Sequence, residues 1–160
     1  MMTDTVYFAA GCFWGVEQFF STITGVRDTE VGYIGGTLGS PHYESVKSGL
    51  TGHAEAVRVQ FNPAVVSFDE LLDHFFRCHN PTQLNRQGPD FGSQYRSHIF
   101  CLSDTQVEKA RLKIKNLSNS GRYDDTIKTL VSGPGDTWYP AESYHQKYFL
   151  KNPGQCHFSS

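Results

Sequence analysis

Val6-Tyr7-Phe8-Ala9-Ala10-Gly11-Cys12-Phe13-Trp14-Gly15 is an apolar run that turns through a glycine towards a helical pattern. Five consecutive apolar residues suit a buried strand over Val6–Ala10. Val16, Phe19, Phe20 and Ile23 then recur at helical spacing and predict a helix over Val16–Thr24, stopped by Gly25. Cys12 therefore stands at a strand-to-helix junction between two glycines. A thiol there faces free backbone N–H groups and the positive end of a helix, and both favour the thiolate. Phe13 and Trp14 offer a flat apolar wall beside the sulfur. A cysteine buried only for packing needs no glycine on either side, so the arrangement predicts a nucleophile next to a pocket.

Further along, strand and helix patterns alternate. Thr29–Tyr33 reads as a second strand leading into Gly32-Tyr33-Ile34-Gly35-Gly36, and an irregular stretch runs from Thr37 to Gly52. Ala54–Phe61 is a third strand. Ser67-Phe68-Asp69-Glu70 is a capping box that opens a helix with Phe68, Leu71, Leu72, Phe75 and Phe76 on one face. A second irregular segment, Asn80 to Ser93, precedes a strand at Ser97–Leu102. Ser103 to Gln106 reads as another capping box, and its helix carries Val107, Ala110, Ile114 and Leu117 as far as Gly121. A strand at Ile127–Ser132, a helix over Pro140–Leu150 and a tail over Gln155–Ser160 complete the chain. The order β-α-β-β-α-β with later additions predicts an α/β (α+β) fold: a ferredoxin-like two-layer sandwich with a mixed sheet, added helices and long loops. A doubly wound parallel sheet is the alternative.

Composition narrows the class. A length of 160 residues suits a single catalytic domain, 1–160, with a sizeable core. The net charge of −2 comes from scattered acids and bases, which argues against nucleic-acid or anionic-membrane binding. No segment has the length of a membrane-spanning helix, and no basic region precedes the first apolar run, so a cytoplasmic protein is expected. The four cysteines, Cys12, Cys78, Cys101 and Cys156, form no close pair, and the seven histidines are dispersed, so no metal site is expected.

Side chains alternate across a strand, so Glu55 shares a face with Val57, Val59 and Phe61. A carboxyl placed there loses solvation and holds its proton towards neutrality, as a general acid must. The irregular segments contribute Tyr43, Asp90 and Tyr95, which spacing alone does not promote. Cys78 and Cys101 have apolar neighbours and read as packing. His53 reads as a structural hydrogen-bond partner.

Four motifs in order, Gly11-Cys12-Phe13-Trp14-Gly15, Gly32-Tyr33-Ile34-Gly35-Gly36, Gly52-His53-Ala54-Glu55 and Asp90-Phe91-Gly92-Ser93-Gln94-Tyr95-Arg96-Ser97, resemble peptide methionine sulfoxide reductase of the A class. The resemblance spans about Val6 to Phe158. It implies Cys12 as nucleophile, Glu55 as proton donor, Tyr43 and Tyr95 as holders of the sulfoxide oxygen, and Asp90 as a residue that fixes the substrate. Phe13 and Trp14 match the wall that receives the S-methyl group. It further implies reduction of the S epimer in proteins, peptides and the free amino acid, with no cofactor. Cys156 would resolve a Cys12 sulfenic acid as a disulfide, and thioredoxin or another dithiol would recycle it. A monomer is expected. Two departures from the family pattern are His79-Asn80-Pro81 and Pro89-Asp90, the second of which stiffens the loop that carries Asp90.

Two other readings use the same residues. A cysteine hydrolase or acyl transferase would pair Cys12 with His53 or His145 as base and needs no second thiol. A redox sensor would use the Cys12–Cys156 pair only to switch conformation.

Overall fold

The computed structural model describes residues 3–37, 39, 41–48 and 51–151, with Phe149 and Leu150 described in backbone only. Strands β1 (Asp4–Ala10), β2 (Val26–Ile34), β3 (Ala54–Phe61), β6 (Ser97–Phe100), β7 (Leu130–Ser132) and β8 (Tyr139–Pro140) form one sheet, while β4 (Arg86–Gln87) and β5 (Asp90–Phe91) form a separate small hairpin. The helices are α1 (Phe13–Ser21), α2 (Tyr43–Lys47), α3 (Phe68–Arg77), α4 (Asp104–Asn119) and α5 (Tyr148–Lys151). In the large sheet the order is β7-β6-β1-β3-β2-β8. Its central four strands, β6-β1-β3-β2, are antiparallel neighbours throughout, which is the ferredoxin-like arrangement. Among the described strands only β7 lies parallel to its neighbour, so the sheet is mixed. Antiparallel pairing at the centre excludes the doubly wound alternative.

The alternation of side chains builds the core. Val6, Phe8 and Ala10 of β1 and Glu55, Val57, Val59 and Phe61 of β3 face the helical layer. Ala9, Ala54 and Ala56 face the other side with Ile34 and Phe100. Phe8 is held between Phe20 of α1 and Phe75 of α3, each ring 4.9 Å away. The α3 capping box is formed in both directions: Glu70 N–H donates to Ser67 Oγ, and Ser67 N–H to Glu70 Oε1. At α4 only half of the predicted box exists. Ser103 Oγ accepts from Gln106 N–H, but the Gln106 side chain bonds Leu102 N–H and Thr5 O instead.

Several boundaries differ from those predicted by spacing. The first helix begins at Phe13, directly after Cys12, rather than at Val16. The two irregular segments contain α2 and the β4–β5 hairpin. The strand predicted over Ile127–Ser132 is formed only at Leu130–Ser132.

The helix predicted over Pro140–Leu150 is replaced by β8, a 3-10 turn at Ser143–His145 and the short α5. Its side chains are spent on other elements. The Gln146 amide accepts from Val31 N–H and donates to Val31 O, like one more rung on the edge of β2. Lys147 takes a left-handed backbone at φ 55°, with its N–H donated to Glu17 of α1 at 2.7 Å. Its ammonium group also reaches Glu17 Oε2, 3.1 Å away, and Thr29 O. Glu17 is buried and accepts a further bond from the Thr29 hydroxyl. These contacts fasten the segment from 140 to 148 across β2 and α1.

Candidate active site

Cys12 is the N-cap residue of α1 and is half-buried. Gly11 reaches it through φ +102°, a conformation that L side chains rarely adopt, and a Cβ at Gly11 would lie 3.0 Å from the Gln87 side chain. The glycine therefore lets the β4–β5 hairpin pack against the turn. Backbone N–H groups of Trp14 and Gly15 point at the sulfur, as the helix N-terminus requires. They do not win. Burial, the neighbouring Glu55 and then Asp90 push the thiol up to about 12, so the resting group is a neutral thiol and not the thiolate that its helix position suggests.

Glu55 comes second to burial among these causes. It is 1 % exposed, on the helical face of β3 opposite Tyr33 of β2. Oε1 accepts from Phe13 N–H at 3.3 Å, while Oε2 is buried with no hydrogen-bond partner. Burial lifts its carboxyl to about 8; the Phe13 N–H and the Lys47 charge pull down and the Asp90 charge pushes up, by less. A carboxyl that keeps its proton at neutral pH and carries an unpartnered oxygen beside a thiol has the chemistry of a general acid.

Tyr43 begins α2, and Tyr95 closes the 3-10 turn at Ser93–Tyr95. Burial raises Tyr43 to about 12, with Glu55 and Cys12 next in effect. Tyr95 is raised by burial, then Glu55 and Tyr43. Both hydroxyls stay protonated as donors and belong to one electrostatic cluster with Cys12, Glu55 and Asp90. Asp90 sits on β5 opposite Gln87, on the hairpin that covers Gly11, and its charge acts on Cys12, Glu55, Tyr43 and Tyr95. The Pro89 that precedes it does not remove it from the cluster.

Phe13 and Trp14 divide the aromatic wall. Phe13 is fully buried against Tyr33, Tyr43 and His145. Trp14 is half-buried, stacked on Tyr148 with ring centroids 3.8 Å apart, and its indole N–H donates to His145 Nδ1 at 3.0 Å. His145 is thereby a neutral acceptor that orients Trp14. His53 Nδ1 accepts from Gly36 N–H at 3.0 Å. Each histidine considered as a hydrolase base thus commits a ring nitrogen to a structural bond. Cys78 and Cys101 are buried at 1 % exposure each. Cys156 and the tail over Gln155–Ser160 lie outside the described residues.

The family profile described as peptide methionine sulfoxide reductase matches residues 4–160. The chain belongs to the peptide methionine sulfoxide reductase family. It is 55% identical over 146 residues to the peptide methionine sulfoxide reductase MsrA of Methanothermobacter thermautotrophicus, covering 91% of this chain and 86% of that protein. Among solved structures it resembles reduced Mxr1 of Saccharomyces cerevisiae, with a TM-score of 0.87 and 39% identity over 98% of this chain and 89% of that one. Mxr1 has also been solved in complex with Trx2, where the TM-score is 0.61 and the identity 27%, over 91% of this chain and 84% of that one.

Sequence reasoning missed Glu142. Its Oε1 accepts from the buried Tyr33 hydroxyl at 2.8 Å, and its Oε2 from Tyr43 N–H at 3.0 Å and the Tyr144 hydroxyl at 3.1 Å. Nothing in its local pattern marks it, because its partners come from other parts of the chain. Among the described residues, no group of three or more His, Cys, Asp or Glu is arranged to hold a metal ion, and no helix is long and apolar enough to cross a membrane.

Proposed function

We propose that this chain reduces methionine S-sulfoxide, in proteins, peptides and the free amino acid, with Cys12 as nucleophile and Glu55 as proton donor. The observation that carries this reading is the buried, proton-holding Glu55 with an unpartnered Oε2 beside the half-buried Cys12. A sulfoxide is neutral and its oxygen leaves poorly, so attack at sulfur requires that oxygen to be protonated and held. Glu55 gives its proton to the oxygen as Cys12 sulfur bonds to the substrate sulfur. The carboxylate so formed takes the thiol proton. The substrate S–O bond then breaks, its oxygen leaving as water, and a water adds to the Cys12 sulfur as the S–S bond breaks, which leaves methionine and a sulfenic acid on Cys12. Tyr43 and Tyr95 donate to the oxygen, Asp90 fixes the substrate, and Trp14, backed by Phe13, receives the S-methyl group.

Cys156 then condenses with the sulfenic acid, releasing water and forming a disulfide. Thioredoxin or another dithiol reduces that disulfide, a partner supported by the complex of Mxr1 with Trx2. No other cofactor is required by this cycle, and a cytoplasmic location fits its dependence on reductant.

The test is turnover of a methionine-S-sulfoxide peptide with dithiothreitol or thioredoxin, with the R epimer alongside. The S epimer is consumed and the R epimer is not. Cys12→Ser, folded by circular dichroism, abolishes turnover. Retained turnover in Cys12→Ser overturns the reading, and an acyl-enzyme thioester on Cys12 would restore the hydrolase alternative.

A further inference from the structure

We infer that Glu142 is a positioning residue for the sulfoxide reaction, setting where Tyr43 stands relative to Cys12 and Glu55. The inference rests on the proposed role of Tyr43 as a donor to the sulfoxide oxygen. The contacts of the Glu142 carboxylate are to Tyr33, Tyr43 and Tyr144 and not to Cys12 or Glu55.

Its two oxygens face different parts of the molecule. Oε1 is bonded to Tyr33, a fully buried residue of β2 that is the strand partner of Glu55 and lies 5.7 Å, ring to ring, from Phe13. Oε2 is bonded to the backbone N–H of Tyr43, which lies in the first turn of α2 and has no intrahelical acceptor. One carboxylate therefore ties the helix bearing the oxygen-binding tyrosine to the strand pair bearing the proton donor.

That helix needs an external tie. Five residues are too few to hold a helix by their own hydrogen bonds. Its other end is held by Gln94, whose amide donates to Lys47 O at 3.1 Å and which immediately precedes Tyr95. Glu142 and Gln94 thus grip α2 at both ends, and the grip relates Tyr43 to Tyr95. Burial pushes the Glu142 carboxyl up, but the donors from Tyr43, its own backbone, Tyr33 and Tyr144 outweigh it and hold the group ionised, an acceptor at both oxygens.

The experiment is a double-mutant cycle between Glu142 and Tyr43, read in single turnovers as oxidation of Cys12 by a methionine-S-sulfoxide peptide. Glu142→Ala slows this step on the order of 10-fold to 100-fold, the effect of misplacing a group by about an ångström. Glu142→Gln recovers most of the rate, because an amide oxygen can take the Tyr43 N–H while its NH2 group donates to the Tyr33 oxygen. In the Tyr43→Phe background, Glu142→Ala slows the step no further. Iodoacetamide alkylation of Cys12, mapped by mass spectrometry, needs no oxygen donor and stays within about twofold of the parent. Glu142→Asp, a milder change, gives a smaller slowing that also vanishes with Tyr43→Phe, and it serves if Glu142→Ala does not fold. Additive slowing, or a Glu142→Ala or Glu142→Asp enzyme as fast as the parent, overturns the inference. A parent that leaves Cys12 reduced overturns the proposed function and this inference together; a reactive parent with an additive cycle overturns the inference alone.

Discussion

Replacing Glu55 by Gln separates the requirements of chemistry from those of folding. The carboxyl ionises near 4.5 in its ordinary state and at about 8 in its buried site. Between these values the unfolded chain has lost a proton that the folded chain still holds. Unfolding therefore releases a proton, and stability falls as pH rises through this window, by about 1.4 kcal/mol per pH unit. At pH 7 the neutral isostere Gln escapes that penalty, so Glu55→Gln is more stable than the parent by about 3 kcal/mol. At pH 4 both states of the parent are protonated and the gain disappears.

Activity moves the other way. Glu55→Gln still accepts from Phe13 N–H but delivers no proton, and the reduction step falls on the order of 10²–10⁴-fold. The parent rate falls above about pH 8, where Glu55 ionises. Urea unfolding at pH 4 and pH 7, together with single-turnover oxidation of Cys12 from pH 6 to 9.5, measures both effects. Equal stabilities at both pH values would mean that Glu55 is ionised in the folded enzyme, and an undiminished rate would place the proton donor elsewhere. Either result refutes the reasoning.

Trp14→Ala removes the ring that stacks on Tyr148 and opens the methyl pocket, and kcat/KM for a methionine sulfoxide peptide falls; an unchanged value moves that pocket away from Trp14. Lys147→Met leaves the buried Glu17 without its cation, and since Lys147 is 38% exposed the loss is about 1–3 kcal/mol in urea unfolding, less than for a fully buried pair. Cys156→Ser reduces about one sulfoxide per enzyme and then stalls with Cys12 as a sulfenic acid trappable by dimedone. Normal cycling of that variant with thioredoxin, or a mapped disulfide through Cys78 or Cys101, excludes Cys156 as the resolving thiol.

The central sheet was legible because its determinants are local. Alternation in β1 and β3 decides which face each side chain takes, and the same alternation sends Glu55 into the helical layer with Val57 and Val59. Ser67 and Glu70 announce α3 because both halves of a capping box lie within one turn. The segment after Pro140 was misread for the opposite reason. Its apolar and polar spacing suits a helix, but Glu142, Gln146 and Lys147 bond to Tyr33, Tyr43, Val31 and Glu17, all distant in sequence. Glu142 and the His145–Trp14 bond were invisible to local pattern for the same reason. The charge state of Cys12 was also out of reach. Its helix position argues for a thiolate, and burial of the thiol, with Glu55 and Asp90 nearby, reverses that.

That reversal bears on how the proposed chemistry is timed. Burial raises both Glu55 and Cys12, with Asp90 adding to each and Glu55 adding to Cys12, so both groups are neutral below about pH 8. A thiol held neutral is a poor nucleophile towards stray electrophiles and oxidants. In the proposed chemistry a bound sulfoxide changes this by presenting an oxygen to the unpartnered Oε2 of Glu55 and to the hydroxyls of Tyr43 and Tyr95. As the proton leaves Glu55, the carboxylate becomes the base that Cys12 lacks, and the thiol gives up its proton only as its sulfur bonds to the substrate. One carboxyl then serves as acid and base in a single step. In the proposed chemistry, the burial that makes Glu55 a liability for folding at neutral pH couples activation of the thiol to the arrival of its substrate.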